Sequence, residues 1–144
     1  MSGFLLDTNI LSEIRKENRC DTGVRAWIES TDAEQMFISV LALGEIRQGI
    51  ERIRRRDQSQ VRALEKWLHR LRTEFAERIL PVDERVADQW GCLGLQQPVP
   101  ALDAFLAATA LVHELAVVSR DEDGFRNTGV QLINPFTKVK PIGT

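Results

Sequence analysis

The chain reads as an α/β fold built on a small, mainly parallel central sheet of about five strands, flanked by helices. Short apolar runs alternate with longer stretches of helical periodicity, the pattern of repeated strand–helix units. The more central runs are apolar throughout instead of alternating, as strands covered on both faces are. A third observation concerns the acids. Two strand-like runs lead into aspartates, "FLLD" at 4–7 and "AVVSRD" at 116–121. In an open α/β sheet, ligands bind beyond the carboxyl ends of the strands.

The elements follow in order. A first strand at 4–6 meets Asp7, Thr8 and Asn9, all residue types that accept hydrogen bonds from the free N–H groups of a helix start. Helical patterns cover about 8–16 and 23–29, and a second strand covers 36–40. Helices over about 41–55 and 59–78 precede a third strand at 79–82. A helix over about 84–93 is followed by Pro98 and Pro100, which break the chain. Pro100 suits the start of a helix over 101–114. Strands at 116–119 and 131–133 bracket "DEDGFRNTG", a run of turn residues that predicts a loop. From about residue 135 the tail holds two prolines and little pattern, which predicts a surface segment or a partner contact. No repeat or composition break divides residues 1–144, so one domain is expected.

Composition narrows the classes. Hydrophobic residues make up 43% and charged residues 28%, ordinary values that exclude a disordered chain. No apolar run approaches the ~18 residues that span a bilayer. The N-terminus shows no secretory pattern, so a cytoplasmic location is expected. Cys20 and Cys92 have no metal-type spacing and are expected to be free thiols. His69 and His113 lie inside helical patterns without a nearby second ligand, which leaves a zinc site or a Cys–His nucleophile poorly supported. A net charge of −2 argues against nonspecific coating of nucleic acid, but not against a local basic rim.

Four carboxylates are hard to place as structure. Asp7 and Asp121 would share one edge of the sheet. Asp103 and Thr109 are the only polar residues between 101 and 112, and Asp103 shares a helical face with Leu106, Ala107 and Ala110. Burying it unpartnered costs several kcal/mol or raises its pKa. Against that, a first-turn acid complements the helix dipole by ~0.3–1 kcal/mol. Glu45 interrupts a mostly apolar helix, with Leu41, Ala42 and Gly49 on its side. For an isolated Glu, a surface position is the ordinary reading. Brought together, four acids repel, and a fold gathers them only around positive charge. Oxygen-only ligands suit Mg²⁺ or Mn²⁺, which can polarise a phosphoryl oxygen and generate hydroxide.

"LLDTNILSE", "LGEIRQG", "LDAFLAATA" and "VSRDEDGFRNTGVQLINPF" occur in that order. Together they resemble the PIN-domain family, and within it the VapC-type toxins of bacterial toxin–antitoxin pairs, particularly the FitB-like branch. The resemblance runs from Phe4 to Phe136. It implies a metal-dependent endoribonuclease with a small parallel sheet and an acidic cleft. Motif by motif, the acids are Asp7, Glu45, Asp103 and Asp121. Thr8 and Asn9 match polar residues that accompany the first acid, and Ser119 a hydroxyl that precedes the last. Asp7 is then a metal ligand, with Thr8 or Asn9 left to cap the following helix. Many relatives carry Asn at the position of Asp121 and an acid at that of Gly124, so Asp123 is an alternative fourth acid; Asp121 is preferred because it lies nearer the strand end. The resemblance further implies Mg²⁺ or Mn²⁺, an RNA substrate, a homodimer, and a DNA-binding antitoxin whose C-terminal segment occupies the acidic groove.

Rival readings are weighed by residue. A haloacid-dehalogenase-like phosphatase needs a second Asp two residues after the first, where this chain has Asn9. A receiver domain wants a Lys after a late strand, where this chain reads "SRDED". A catalytically weak PIN-fold module that dimerises and binds an antitoxin is the alternative from another class. The run "ERIRRRD", with Arg52, Arg54, Arg55 and Arg56, reads either as an RNA-binding patch or as a solvated helix C-terminus. Removing the four acids from the count takes −2 to +2, a mildly cationic remainder. Arg47 and Arg120 flank two of the acids and are candidates to orient phosphate. Trp27, Trp67 and Trp90 fall on helical faces and read as core or interface.

Overall fold

Leu5 and Leu6 point to opposite faces of the first strand, and each belongs to a separate apolar core. The computed structural model describes residues 3–93 and 99–137. Its sheet comprises β1 (Phe4–Leu6), β2 (Met36–Ser39), β3 (Ile79–Leu80), β4 (Ala116–Val118) and β5 (Leu132–Ile133). The spatial order is β3-β2-β1-β4-β5, and every pair is parallel. Among the described residues the α-helices are α1 (Thr8–Arg15), α2 (Thr22–Glu29), α3 (Val40–Ile53), α4 (Gln58–Glu74), α5 (Glu84–Gly91), α6 (Ala101–His113) and α7 (Glu122–Phe125).

One core joins Leu6 and Ile38 of the sheet to Ile10 of α1, Val24 of α2, Ile50 of α3 and Leu68 of α4. The other joins Leu5 and Val117 to Leu106, Ala107 and Ala110 of α6 and Phe125 of α7. Each fully buried Leu or Ile contributes about 1.5–3 kcal/mol. Helix α5 packs on α6, where Trp90 stacks on Phe105 with ring centroids 4.8 Å apart. The helix after β1 packs on one face and the helix after β4 on the other. The strand order therefore reverses between β1 and β4, and a crevice opens at their carboxyl ends.

Several elements end earlier than the pattern predicts, each for a local reason. Strand β2 stops at Ser39 because the Ser39 hydroxyl accepts from Leu41 N at 3.0 Å and caps α3. Strand β3 covers two residues, since Pro81 has no N–H to continue the ladder. Helix α4 stops at Glu74. Phe75 turns into the core, and the Arg78 guanidinium donates to the carbonyls of Ala33, Met36 and Glu74. The predicted loop at 121–129 contains the short helix α7, capped by Asp121 and anchored by buried Phe125. Pro98 and the tail from 138 onward lie outside the described residues.

The last described residues are tied down. Thr137 donates to Asp21 through its backbone N at 3.0 Å and its hydroxyl at 2.8 Å. The strand of chain leading there runs so close to α2 that a Cβ on Gly23 would collide with the Pro135 carbonyl.

Candidate active site

Four backbone segments meet in the crevice. A cleft of about 450 Å³ is lined by Asp7, Glu45, Asp103 and Asp121, with Thr8, Asn9 and Lys16 at its walls. Asp7 ends β1, Glu45 projects from the second turn of α3, Asp103 from the first turn of α6, and Asp121 from the start of α7. The four acids that the sequence singles out thus occupy one hollow.

Asp7 is held from several sides. Its Oδ1 accepts from Thr8 N at 2.8 Å, and its Oδ2 accepts from the Ser119 hydroxyl at 2.7 Å. The Asn9 amide reaches the same Oδ2 at 3.4 Å and the Ser119 oxygen at 3.2 Å. Asn9 Oδ1 accepts from Arg120 N at 3.2 Å, which joins the end of β4 to α1. Thr8 donates its hydroxyl to Glu45 Oε1 at 2.7 Å. Here the capping expectation is corrected. Asp7 itself caps α1, because the hydroxyl of Thr8 and the amide of Asn9 are committed to Glu45, Ser119 and the β4 end.

Charge sets the character of the cleft. Burial pushes the Asp7 carboxyl above its ordinary value, the Ser119 and Thr8 hydrogen bonds oppose this, and the charge of Asp121 adds to it. Glu45 is raised by burial and, less, by Asp7, against the Thr8 hydrogen bond. Asp103 is raised to about 7, first by burial, then by its hydrogen bond and charge interaction with Asp121, then by Asp7 and Glu45. Asp103 and Asp121 lean together over Gly124, where a Cβ would collide with an oxygen of each. No three His, Cys, Asp or Glu side chains among the described residues already stand as a metal-binding group. What the donor set fits is a hard cation. All its donors are oxygens, and the cluster holds more negative charge than its hydrogen bonds neutralise.

Other predicted residues fall elsewhere. Asp123 is exposed and pairs with Arg126 at 2.6 Å. Arg47 turns from the cleft to Glu51 and Glu65. Arg120 lies over the Phe136 ring at 4.8 Å from its centroid. Three polar cleft residues are not among the sequence candidates: Ser12, Glu13 and Lys16. Their signal was spacing, because Asn9, Ser12, Glu13 and Lys16 follow the i, i+3, i+4, i+7 face of α1. Buried Glu13 accepts from Lys16 Nζ at 2.9 Å and from Asp21 N at 2.8 Å.

A parallel sheet in the order 3-2-1-4-5 with an all-oxygen acidic crevice defines a class, and the PIN-domain family model matches residues 4–131. The chain belongs to the PIN-domain family. Among relatives, it is 31% identical over 138 residues to Toxin FitB of Neisseria gonorrhoeae, covering 92% of this chain and 98% of that protein. It is 31% identical over 141 residues to VapC ribonuclease Y4jK of Sinorhizobium fredii, covering 92% and 97%. The solved structure of FitAcB from Neisseria gonorrhoeae matches with a TM-score of 0.82 at 31% identity, over 92% of this chain and 97% of that one.

Proposed function

We propose that this chain is a metal-dependent endoribonuclease and the toxin of a bacterial type II toxin–antitoxin pair. The observation that carries the reading is the convergence of Asp7, Glu45, Asp103 and Asp121 in one crevice, with Asp103 raised to about 7. Such a group gains most from a cation beside it. Asp7 and Asp103 would hold Mg²⁺ or Mn²⁺, with Glu45 and Asp121 in support. A bound divalent ion supplies a polarised phosphoryl oxygen and a water that ionises near neutral pH.

The chain's own residues prepare that chemistry. Ser119 and the Thr8 amide fix the orientation of Asp7, and Asn9 ties Ser119 to α1. The Thr8 hydroxyl fixes Glu45. Lys16, at the wall, offers the cleft's cationic contact for a phosphodiester. The ribonuclease name of one relative supports an RNA substrate, and the toxin name of another, with the similar structure of FitAB bound to a DNA fragment, supports a DNA-binding antitoxin partner. The homodimer and the cytoplasmic setting belong to the same reading. No helix among the described residues is long and apolar enough to cross a membrane.

The test is RNA cleavage under chelation. EDTA abolishes it and excess Mg²⁺ restores it. Cleavage that survives exhaustive chelation contradicts the mechanism. A stable protein that cuts nothing with either metal, yet binds its antitoxin, turns the reading into that of a catalytically weak binding module.

A further inference from the structure

A second groove opens beside the acidic one. It lies between the C-terminal end of α1, with the turn that follows, and the outer face of α4. Its volume is about 570 Å³, and Arg15, Lys16, Arg19, Arg62, Lys66 and Arg70 line it, with Glu17 as the one acid. Lys16 lines both hollows, so the groove adjoins the acidic cleft at that residue. Arg62, Lys66 and Arg70 recur every four residues, which sets one cation above another at ~6 Å intervals along one helix face.

Two of these cations are engaged within the chain: Lys16 pairs with Glu13 at 2.9 Å, and Arg15 lies over the Trp67 ring at 5.4 Å from its centroid. Among the described residues no carboxylate forms an ion pair with Arg15, Arg19, Arg62, Lys66 or Arg70. The only acid that α4 places within this stretch, Glu65, borders a hollow with Arg62, Lys66 and Arg70, but its carboxylate is paired with Arg47 at 3.3 Å and Arg54 at 2.9 Å. Like charges at i, i+4 destabilise a helix. A row of three without an ion-pair partner among the described residues is what a linear polyanion would compensate.

We infer that this groove carries the backbone of the RNA substrate, as a single strand, on its way to the acidic cleft. The inference rests on the ribonuclease reading for its ligand and adds where that ligand runs. Cations in a row contact phosphates without reading bases, so the groove supplies affinity and register and no sequence preference. Lys16 stands at the junction.

The test uses fluorescent oligouridine, bound in EDTA and followed by anisotropy across a salt titration. The triple variant Arg62→Gln, Lys66→Gln, Arg70→Gln binds about 10- to 100-fold more weakly. Its log–log salt slope falls by about 2, at roughly 0.7 per lost phosphate contact. Arg62→Lys with Arg70→Lys keeps the slope. Arg47→Gln with Arg54→Gln removes two positive charges outside the groove and leaves binding nearly unchanged. In Mg²⁺ the triple variant raises KM for long RNA, with kcat intact. A thermal melt no lower than wild type shows that it folds.

Unchanged affinity and slope in the triple variant overturn the inference. So does oligoglutamate competing as well as oligouridine at equal charge, because the groove then takes an acidic protein. A wild-type chain that binds with the expected slope but cuts nothing supports the groove and contradicts the ribonuclease reading.

Discussion

Asp7 and Asp21 hold the same local position and have opposite characters. Each caps a helix, α1 and α2 respectively, and each is buried, with 8% and 3% of its surface exposed. For Asp21, burial opposes the charge but hydrogen bonds outweigh it. Two come from Thr137, backbone and hydroxyl, and two from the amides of Val24 and Gly23, and they hold the carboxyl at about 2. Asp7 also accepts several hydrogen bonds, yet its pKa rises, because burial prevails and Asp121 adds like charge. Burial alone therefore does not mark a functional acid. The mark is negative charge that the protein's own donors leave uncompensated.

Breaking the cleft has the largest expected effect. Asp103→Asn and Asp121→Asn each lower metal-dependent RNA cleavage by about 10- to 100-fold or more, the usual cost of losing a metal-site carboxylate or its support. Asp123→Asn, on an exposed acid paired to Arg126, changes the rate little. The measurement is the cleavage rate of each single variant across a Mg²⁺ titration. Damage at Asp123 with Asp121 spared shows that the fourth acid is misassigned.

Breaking the other cap costs stability instead. Asp21→Asn destabilises by about 2 kcal/mol at pH 7, from a weakened cap and the lost charge-assisted bonds to Thr137. That is about 4–8 °C in Tm for a chain of this size. The folded-state pKa lies below the ordinary 3.8. The contribution is therefore complete above pH ~4 and is lost as pH falls through about 2. The Tm gap between wild type and variant should close over that window, and a gap that stays constant from pH 7 to 2 contradicts the account.

A matched glycine pair sharpens the contrast. At Gly23 a Cβ meets the Pro135 backbone, which cannot swing aside, so Gly23→Ala lowers Tm by a few degrees and spares the rate of the folded protein. At Gly124 it meets the side-chain oxygens of Asp103 and Asp121 instead of backbone. Gly124→Ala therefore moves the acids, lowering cleavage several-fold with a small change in Tm. The reverse pattern, in melts and rates taken side by side, would show that the two regions have been wrongly distinguished.

The sequence was informative where the physics is local. Apolar runs ending in Asp7 and Asp121 mark the strand ends, and an acid in the apolar stretch from 101 to 112 marks Asp103. Glu45 needed the family resemblance, because one Glu on an amphipathic helix is ordinary. The knot at Asp21 was not legible, since its partner Thr137 lies 116 residues away and neither residue is unusual by itself. The capping roles of Thr8 and Asn9 were reversed for the same reason: Glu45 and Ser119 reach them from distant segments. Helix α7 is four residues in a run of turn formers, too short for a periodic signal. Arg47 lies two residues from Glu45 in sequence, but α4 brings Glu65 against it instead.

The most direct test of the cleft is a thermal melt in EDTA and across a Mn²⁺ titration at neutral pH, for wild type, Asp21→Asn and Asp103→Asn. A ligand that binds only the folded state raises Tm with its concentration. Wild type and Asp21→Asn should rise in parallel, the second from a lower start. Asp103→Asn should begin at or above wild type in EDTA, freed of like-charge repulsion, and rise little. A wild-type Tm that Mn²⁺ leaves unmoved, or an Asp103→Asn variant that rises as far as wild type, contradicts a metal-binding role for these acids.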